Sequence, residues 1–139
     1  MQLNTIHLEN CLEVLEYSYD ALNKANKNST SYKVFRNAAL KGFELTLEVT
    51  SKLLKKALKP FFASSKAVDR LTFKEVFRNA AKHGLITIEG TERWFDYRDN
   101  RNTTTHDYDE DAAEEALALI APFINDVKTI IESINHVKT

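Results

Sequence analysis

The chain has 139 residues, a formal charge of −1 and a single cysteine, Cys11. That length suits one domain with its own core, so residues 1–139 are expected to fold as a single unit. One thiol excludes a disulfide framework or a four-thiolate metal site within the chain and fits a reducing, cytoplasmic setting. Three glycines and two prolines supply too few turns for a many-stranded β protein. No signal peptide and no membrane helix are expected, since no charged segment followed by an apolar run opens the chain and no stretch of about 18 apolar residues occurs.

Five helical segments follow in order. The first runs from about Thr5 to Asn26, with Leu8, Cys11 or Leu12, Leu15, Tyr19 and Leu22 at helical spacing. Asn28 to Ser31 break it and offer N-caps for the second, about Tyr32 to Leu58, whose stripe is Leu40, Phe43, Leu47, Thr50, Leu54 and Ala57. Pro60 ends that helix, and residues 61–70 read as a basic, serine-containing connection. Thr72 with Glu75 forms a capping-box pattern for the third helix, which turns Val76, Phe77, Ala80 and Ala81 inward and stops at Gly84. The fourth, about Glu89 to Asn102, is anchored by Trp94 and Phe95. The threonine run 103–105 weakens helix there. The fifth starts after Asp109 and carries Ala113, Leu117, Ile120, Ile124, Val127, Ile131 and Ile134 on its core face, with Pro122 expected to kink it. The expected fold is all-α, an antiparallel up-and-down four-helix bundle with an additional short helix.

Charge is unevenly spread. Residues 24–83 hold 14 Lys and Arg against four acids, whereas residues 84–139 hold five against twelve. Such asymmetry marks either a basic face for nucleic acid or an acidic partner, or ordinary solvated helix faces that neutralise one another.

Glycine-rich phosphate loops, paired Cys/His zinc motifs, a nucleophile elbow and an EF-hand loop are all missing, so no metal or cofactor is expected. One polar cluster remains. Arg98, Asp99, Asn100, Arg101, Asn102, His106, Asp107 and Tyr108 fall within eleven residues. Arg98 and Arg101, three apart, share a helix face. Arg101 and His106, five apart, lie about 140° round an ideal helix. They converge if the helix loosens at the threonines, or if a second subunit supplies its own copy. An arginine can clamp a phosphate and a histidine can move the proton of a ribose 2′-hydroxyl or of the leaving oxygen, which suffices for metal-independent RNA cleavage. The same residues also fit a plain helix C-terminus, with Arg and His satisfying free carbonyls. Glu44 and Glu48, flanked by Lys41 and Lys52, read either as support for a site or as surface i, i+4 ion pairs. His83 reads as a capping residue, and Trp94 and Cys11 as core.

Arg101-Asn102-(three residues)-His106 resembles the signature of HEPN domains, and with Tyr108 it resembles the Arg-x4-His-x-Tyr pattern of HepT-like toxins. Phe43-Glu44-Leu45-Thr46-Leu47-Glu48, Lys74 to Ala80 with Gly84-Leu85-Ile86, and Trp94 to Tyr108 with Glu110 to Glu115 are similar to successive segments of the nucleotidyltransferase substrate-binding protein family. The resemblance covers roughly residues 5–135. It implies a helical bundle that forms homodimers and pairs with an MNT-type minimal nucleotidyltransferase, which acts either as catalytic partner or as antitoxin. For a ribonuclease toxin of this kind it implies that Arg101 binds and polarises the scissile phosphate, His106 is the general acid or base, Asn102 orients His106 or the phosphate, and Tyr108 is the residue the partner modifies. Glu44, Glu48 and Arg98 would support substrate binding. The alternative the family leaves open is a non-catalytic subunit that holds a substrate or nucleotide for a two-chain nucleotidyltransferase. Asp96, Asp99, Asp107 and Asp109 crowd the motif, so RNA would approach across the basic second and third helices.

Overall fold

Four hydroxyl side chains start four helices in the same way. Ser29, Ser64, Thr72 and Thr87 each accept a hydrogen bond from the backbone N–H three residues on, at 3.1, 3.2, 3.2 and 3.0 Å. The structure, a computed structural model, describes residues 3–101 and 110–137. Its helices are α1 (Ile6–Lys24), α2 (Thr30–Leu58), a 3-10 turn (Lys59–Phe61), α3 (Ser65–Asp69), α4 (Phe73–Lys82), α5 (Ile88–Asn100) and α6 (Glu110–Val137). No strand occurs among the described residues, and the all-α expectation holds.

Two sequence signals act as read. Thr72 and Glu75 close a reciprocal capping box, with Glu75 also accepting from the Thr72 N–H at 2.9 Å. That bond is the main cause holding the Glu75 carboxyl below its usual pKa. Gly84 follows the His83 cap at φ 78°, a left-handed conformation that favours glycine. Two boundaries differ. Residues 61–70 are not wholly irregular: Pro60 opens a 3-10 turn, and Ser64 caps the short α3, whose Val68 is fully buried. The α6 helix runs through Pro122 without interruption. The expected cap Asp109 and the threonine run 103–105 lie outside the described residues.

α1 and α2 share the most extensive packing in the bundle, and Gly42 lies in it. A Cβ placed there would stand 3.3 Å from Leu15 Cδ1, so the missing side chain lets the two backbones approach. α6 runs antiparallel to α1, with Asn135 beside Thr5 at one end and Lys128 paired to Glu16 at 3.2 Å further along. It also packs against α2 and α5. α4 lies antiparallel to α5, with Phe77 stacked on Trp94 at 4.8 Å and Arg98 beside Phe73, and also packs against α2.

The centre is an aromatic knot. Phe43 of α2, Trp94 and Tyr97 of α5, and Phe123 of α6 are each at most 1% exposed and meet edge to face, with centroids 4.7–6.3 Å apart. The helical periodicity of the sequence places Phe95 in the core and omits Tyr97 and Phe123; the structure reverses this. Residues 94 and 97 are three apart and share a face, while residue 95 is turned about 100° from Trp94, so Phe95 is half-buried at the edge of the bundle. Cys11 and Tyr19 are likewise only half-buried, and Ser18 takes the expected inward place.

The Tyr97 hydroxyl donates to Asp126 Oδ2 at 2.6 Å, and Arg93 grips the same carboxylate with two bonds of 2.8 and 2.9 Å. This three-residue clamp fixes the rotation of α5 against α6. Burial first, then the hydrogen bond to Asp126, raises the Tyr97 pKa above its ordinary value. A folded pKa above the unfolded one means the neutral hydroxyl contributes stability below pH about 10, lost as pH rises beyond it. Tyr97→Phe is expected to cost about 1–1.5 kcal/mol at neutral pH and to shrink the alkaline loss, as urea unfolding at pH 7 and pH 10.5 would report. An unchanged alkaline slope would assign that loss to other groups.

Candidate functional site

Tyr97 of the clamp sits one turn before the end of α5, next to the helix's last cations. Arg98 is half-buried, with its guanidinium 5.7 Å from the centroid of the Phe73 ring. Arg101 follows three residues on as the C-cap of α5, its own N–H bonded to the Arg98 carbonyl. Burial, and then the positive charge of Arg101, pushes the Arg98 guanidinium below its usual pKa, against a weaker pull from Asp99. Two like charges are therefore held near each other at one helix end. Neither has a carboxylate within ion-pair distance among the described residues.

Arg101 is half-buried, and its Nε is buried without a hydrogen-bond partner. An arginine at a helix C-terminus gains from the dipole, but an unsatisfied buried donor costs about 1–3 kcal/mol. A purely structural cap would spend that nitrogen on a free carbonyl. Thr46 Oγ1 of α2 is likewise buried without a hydrogen-bond partner, as is the Nε atom of Arg36, a residue with an interaction of its own.

Asn102, His106 and Tyr108, together with Asp107, lie outside the described residues. Of the α2 carboxylates, Glu48 is exposed and pairs with Lys52 at 3.3 Å, one of the two readings its spacing allowed. Glu44 is half-buried and has an interaction of its own. Phe43, its neighbour, reaches Tyr97. His83 caps α4 and stacks on the exposed ring of Phe61 at 4.0 Å. Among the described residues no group of three or more His, Cys, Asp or Glu is placed to hold a metal ion, and no helix is long and apolar enough to cross a membrane.

Sequence reasoning missed two features. Lys74 and Arg78 of α4 both stand over the Phe95 ring, at 5.3 and 5.4 Å. Their four-residue spacing was visible, but the ring between them belongs to another helix. A cavity of about 280 Å³ opens where α1 ends and α2 begins, lined by Tyr19, Leu22, Lys27, Tyr32, Glu114 and Leu117 among others. α5 runs antiparallel to α6, so this cavity lies at the same end of the bundle as Arg101.

Fold and site together define a helical bundle with a cationic helix end. The chain belongs to the family described as nucleotidyltransferase substrate binding protein like, which residues 6–136 match. It is similar to the probable ribonuclease HepT of Haemophilus influenzae, with 30% identity over 98 residues, or 70% of this chain and 66% of that protein. The match thus spans just under two thirds of that relative's length. Among solved structures it is similar to HI0074 of Haemophilus influenzae, described as the fold of a substrate binding domain of a nucleotidyltransferase, with a TM-score of 0.79, 24% identity, and 95% of this chain and 99% of that chain covered. A protein from Thermus thermophilus aligns with a TM-score of 0.73 and 23% identity, covering 91% of this chain and 98% of its own. These two structures establish the likeness of fold.

Proposed function

We propose that this chain, as one domain of 139 residues, is the HEPN-type subunit of a two-component pair with an MNT-type minimal nucleotidyltransferase, and that it is a metal-independent ribonuclease. The observation that carries the reading is Arg101 held beside Arg98 at the end of α5, two like charges with no carboxylate at ion-pair distance among the described residues, at the head of Arg-x4-His-x-Tyr. The similarity to a probable ribonuclease supports it.

In this reading the Arg101 guanidinium binds the scissile phosphate through two parallel hydrogen bonds and stabilises the charge that builds on its oxygens. His106 takes the proton of the ribose 2′-hydroxyl. The 2′-oxygen then bonds to phosphorus, and the bond to the 5′-oxygen breaks. That oxygen needs a proton from a second acid, which the His106 of a second copy supplies in a homodimer with a shared cleft. The products are a 2′,3′-cyclic phosphate and a free 5′-hydroxyl. Asn102 orients His106 or the phosphate, and Arg98 adds charge. Tyr108, two residues from His106, is where adenylylation by the partner would silence the site. Glu44 and Glu48 would act through α2, at the margin of the site.

A second reading has its own support. The family's description and the cavity beside Tyr19 and Tyr32 favour a subunit that holds a nucleotide for a partnered nucleotidyltransferase. One experiment separates the two: purified protein with EDTA is incubated with RNA, and the ends of any products are identified. Cyclic phosphate ends are expected. Intact RNA, together with nucleotide binding that stimulates a co-encoded nucleotidyltransferase, would establish the second reading and remove the first.

A further inference from the structure

We propose that the α4–α5 face is a track for the sugar–phosphate backbone of single-stranded RNA, formed by Lys74, Arg78 and Arg98 on the rings of Phe95 and Phe73 and leading to Arg101. It rests on the ribonuclease reading for its destination, though not for its chemistry. Three cations stand over two aromatic rings at 5.3–5.7 Å. A ring face holds a cation in place while leaving its outer side open, so the charges are arrayed before any ligand arrives. Phe95, Arg98 and Arg101 are each three residues apart and form one inclined row on α5. The row spans about 9 Å along the helix axis.

The row is short of counter-charge. Among the described residues, none of Lys74, Arg78, Arg98 and Arg101 has a carboxylate within ion-pair distance. Glu75 lies near Arg78, but its carboxylate accepts the Thr72 N–H in the capping box. Asp99 lies near Arg98 and is exposed. Lys74 and Arg78 form a like-charge pair at i, i+4 over one ring, and Arg98 and Arg101 a like-charge pair at i, i+3. Each pair is unfavourable on a helix by itself, and a phosphate between its members would reverse the sign. The rings are covered by the cations, so bases are not expected to stack on them. The surface therefore suits a backbone, read without regard to sequence. Asp96 and Asp99 of α5 are exposed, and neither forms an ion pair with a track cation among the described residues.

The test is binding of a fluorescein-labelled 2′-O-methyl oligouridylate of about 16 nucleotides, which lacks the attacking hydroxyl, measured by anisotropy over a salt series. Lys74→Glu with Arg78→Glu is expected to weaken binding at least about tenfold and to flatten the slope of log K against log salt by about 1.4, or about 0.7 for each phosphate no longer neutralised. Lys24→Glu with Lys128→Glu makes the same charge change at exposed positions of α1 and α6 and is expected to leave the slope unchanged. Arg78→Gln, flattening it by about 0.7, decides the matter if the reversed pair misfolds by circular dichroism. Equal losses in both pairs, no loss in either, or no binding by the wild type would overturn the track. So would retained RNA binding with loss of a co-encoded nucleotidyltransferase, which would assign the face to a protein. Track-dependent binding with no cleavage of natural RNA removes the ribonuclease reading alone. Cleavage with binding indifferent to the reversal removes the track alone.

Discussion

His106→Ala is expected to lower metal-free RNA cleavage by about 10²–10⁴-fold, the usual contribution of a positioned proton carrier. Arg101→Ala should cost about 10²–10³-fold, as removal of one donor to a developing oxyanion does. Arg101→Lys should recover little, because an ammonium lacks the planar fork that grips two phosphate oxygens. Both alanine variants are expected to keep wild-type thermal stability. His106 belongs to a polar segment, and Arg101→Ala deletes a donor whose Nε is already unsatisfied. Single-turnover cleavage of a fluorescent RNA, with melting curves on the same samples, reads both quantities. Variants that cut as fast as the wild type would refute the assignment. Variants that lose activity only because they unfold would leave Arg101 as a helix cap.

Phe123→Ala should have the largest effect on stability, about 3–5 kcal/mol. Its ring is fully buried and touches Phe43 at 4.7 Å, Tyr97 at 5.1 Å and Trp94 at 5.6 Å, so truncation opens a cavity where three helices meet. A domain of this size is stable by about 5–15 kcal/mol, so the variant would lose a large share of it. Phe123→Leu keeps most of the volume and should cost less than half as much. Guanidinium unfolding at 25 °C measures both. A loss below about 1.5 kcal/mol in the alanine variant would mean that the knot collapses to fill the gap. The consequence reaches the site, because the same knot holds Tyr97 and Tyr97 fixes the turn of α5 that ends at Arg101.

What the sequence determined by itself is what local physics settles. Helix starts needed only a hydroxyl three residues before an N–H, as at Thr72, and one helix stop needed only a glycine, Gly84. Of the α2 stripe, Leu40, Phe43, Leu47, Thr50 and Leu54 are buried as its period required, and Ala57 at its end is half-buried. The family resemblance rested on ordered segments, and it holds over residues 6–136. The polar stretch from Arg98 to Tyr108 was readable as a candidate functional centre, but with two meanings, helix end or catalyst.

Only the tertiary structure decided which face each helix turns inward. α6 packs against α1, α2 and α5, so its buried face is wider than one stripe and takes in Ala116, Phe123 and Ile130, which a single-stripe reading left out. On α5 the choice between Phe95 and Tyr97 depends on Asp126, 29 residues beyond Tyr97, whose carboxylate captures the hydroxyl. That choice leaves Phe95 at the edge, where Lys74 and Arg78 cover it. Arg101 shows the same division. Its place in a motif is a property of the sequence, whereas the burial of its Nε is visible only in the folded chain. Spacing along a chain specifies which residues share a helix face. It does not specify which neighbour that face will meet, and the neighbour sets burial, charge and the direction in which a guanidinium is offered.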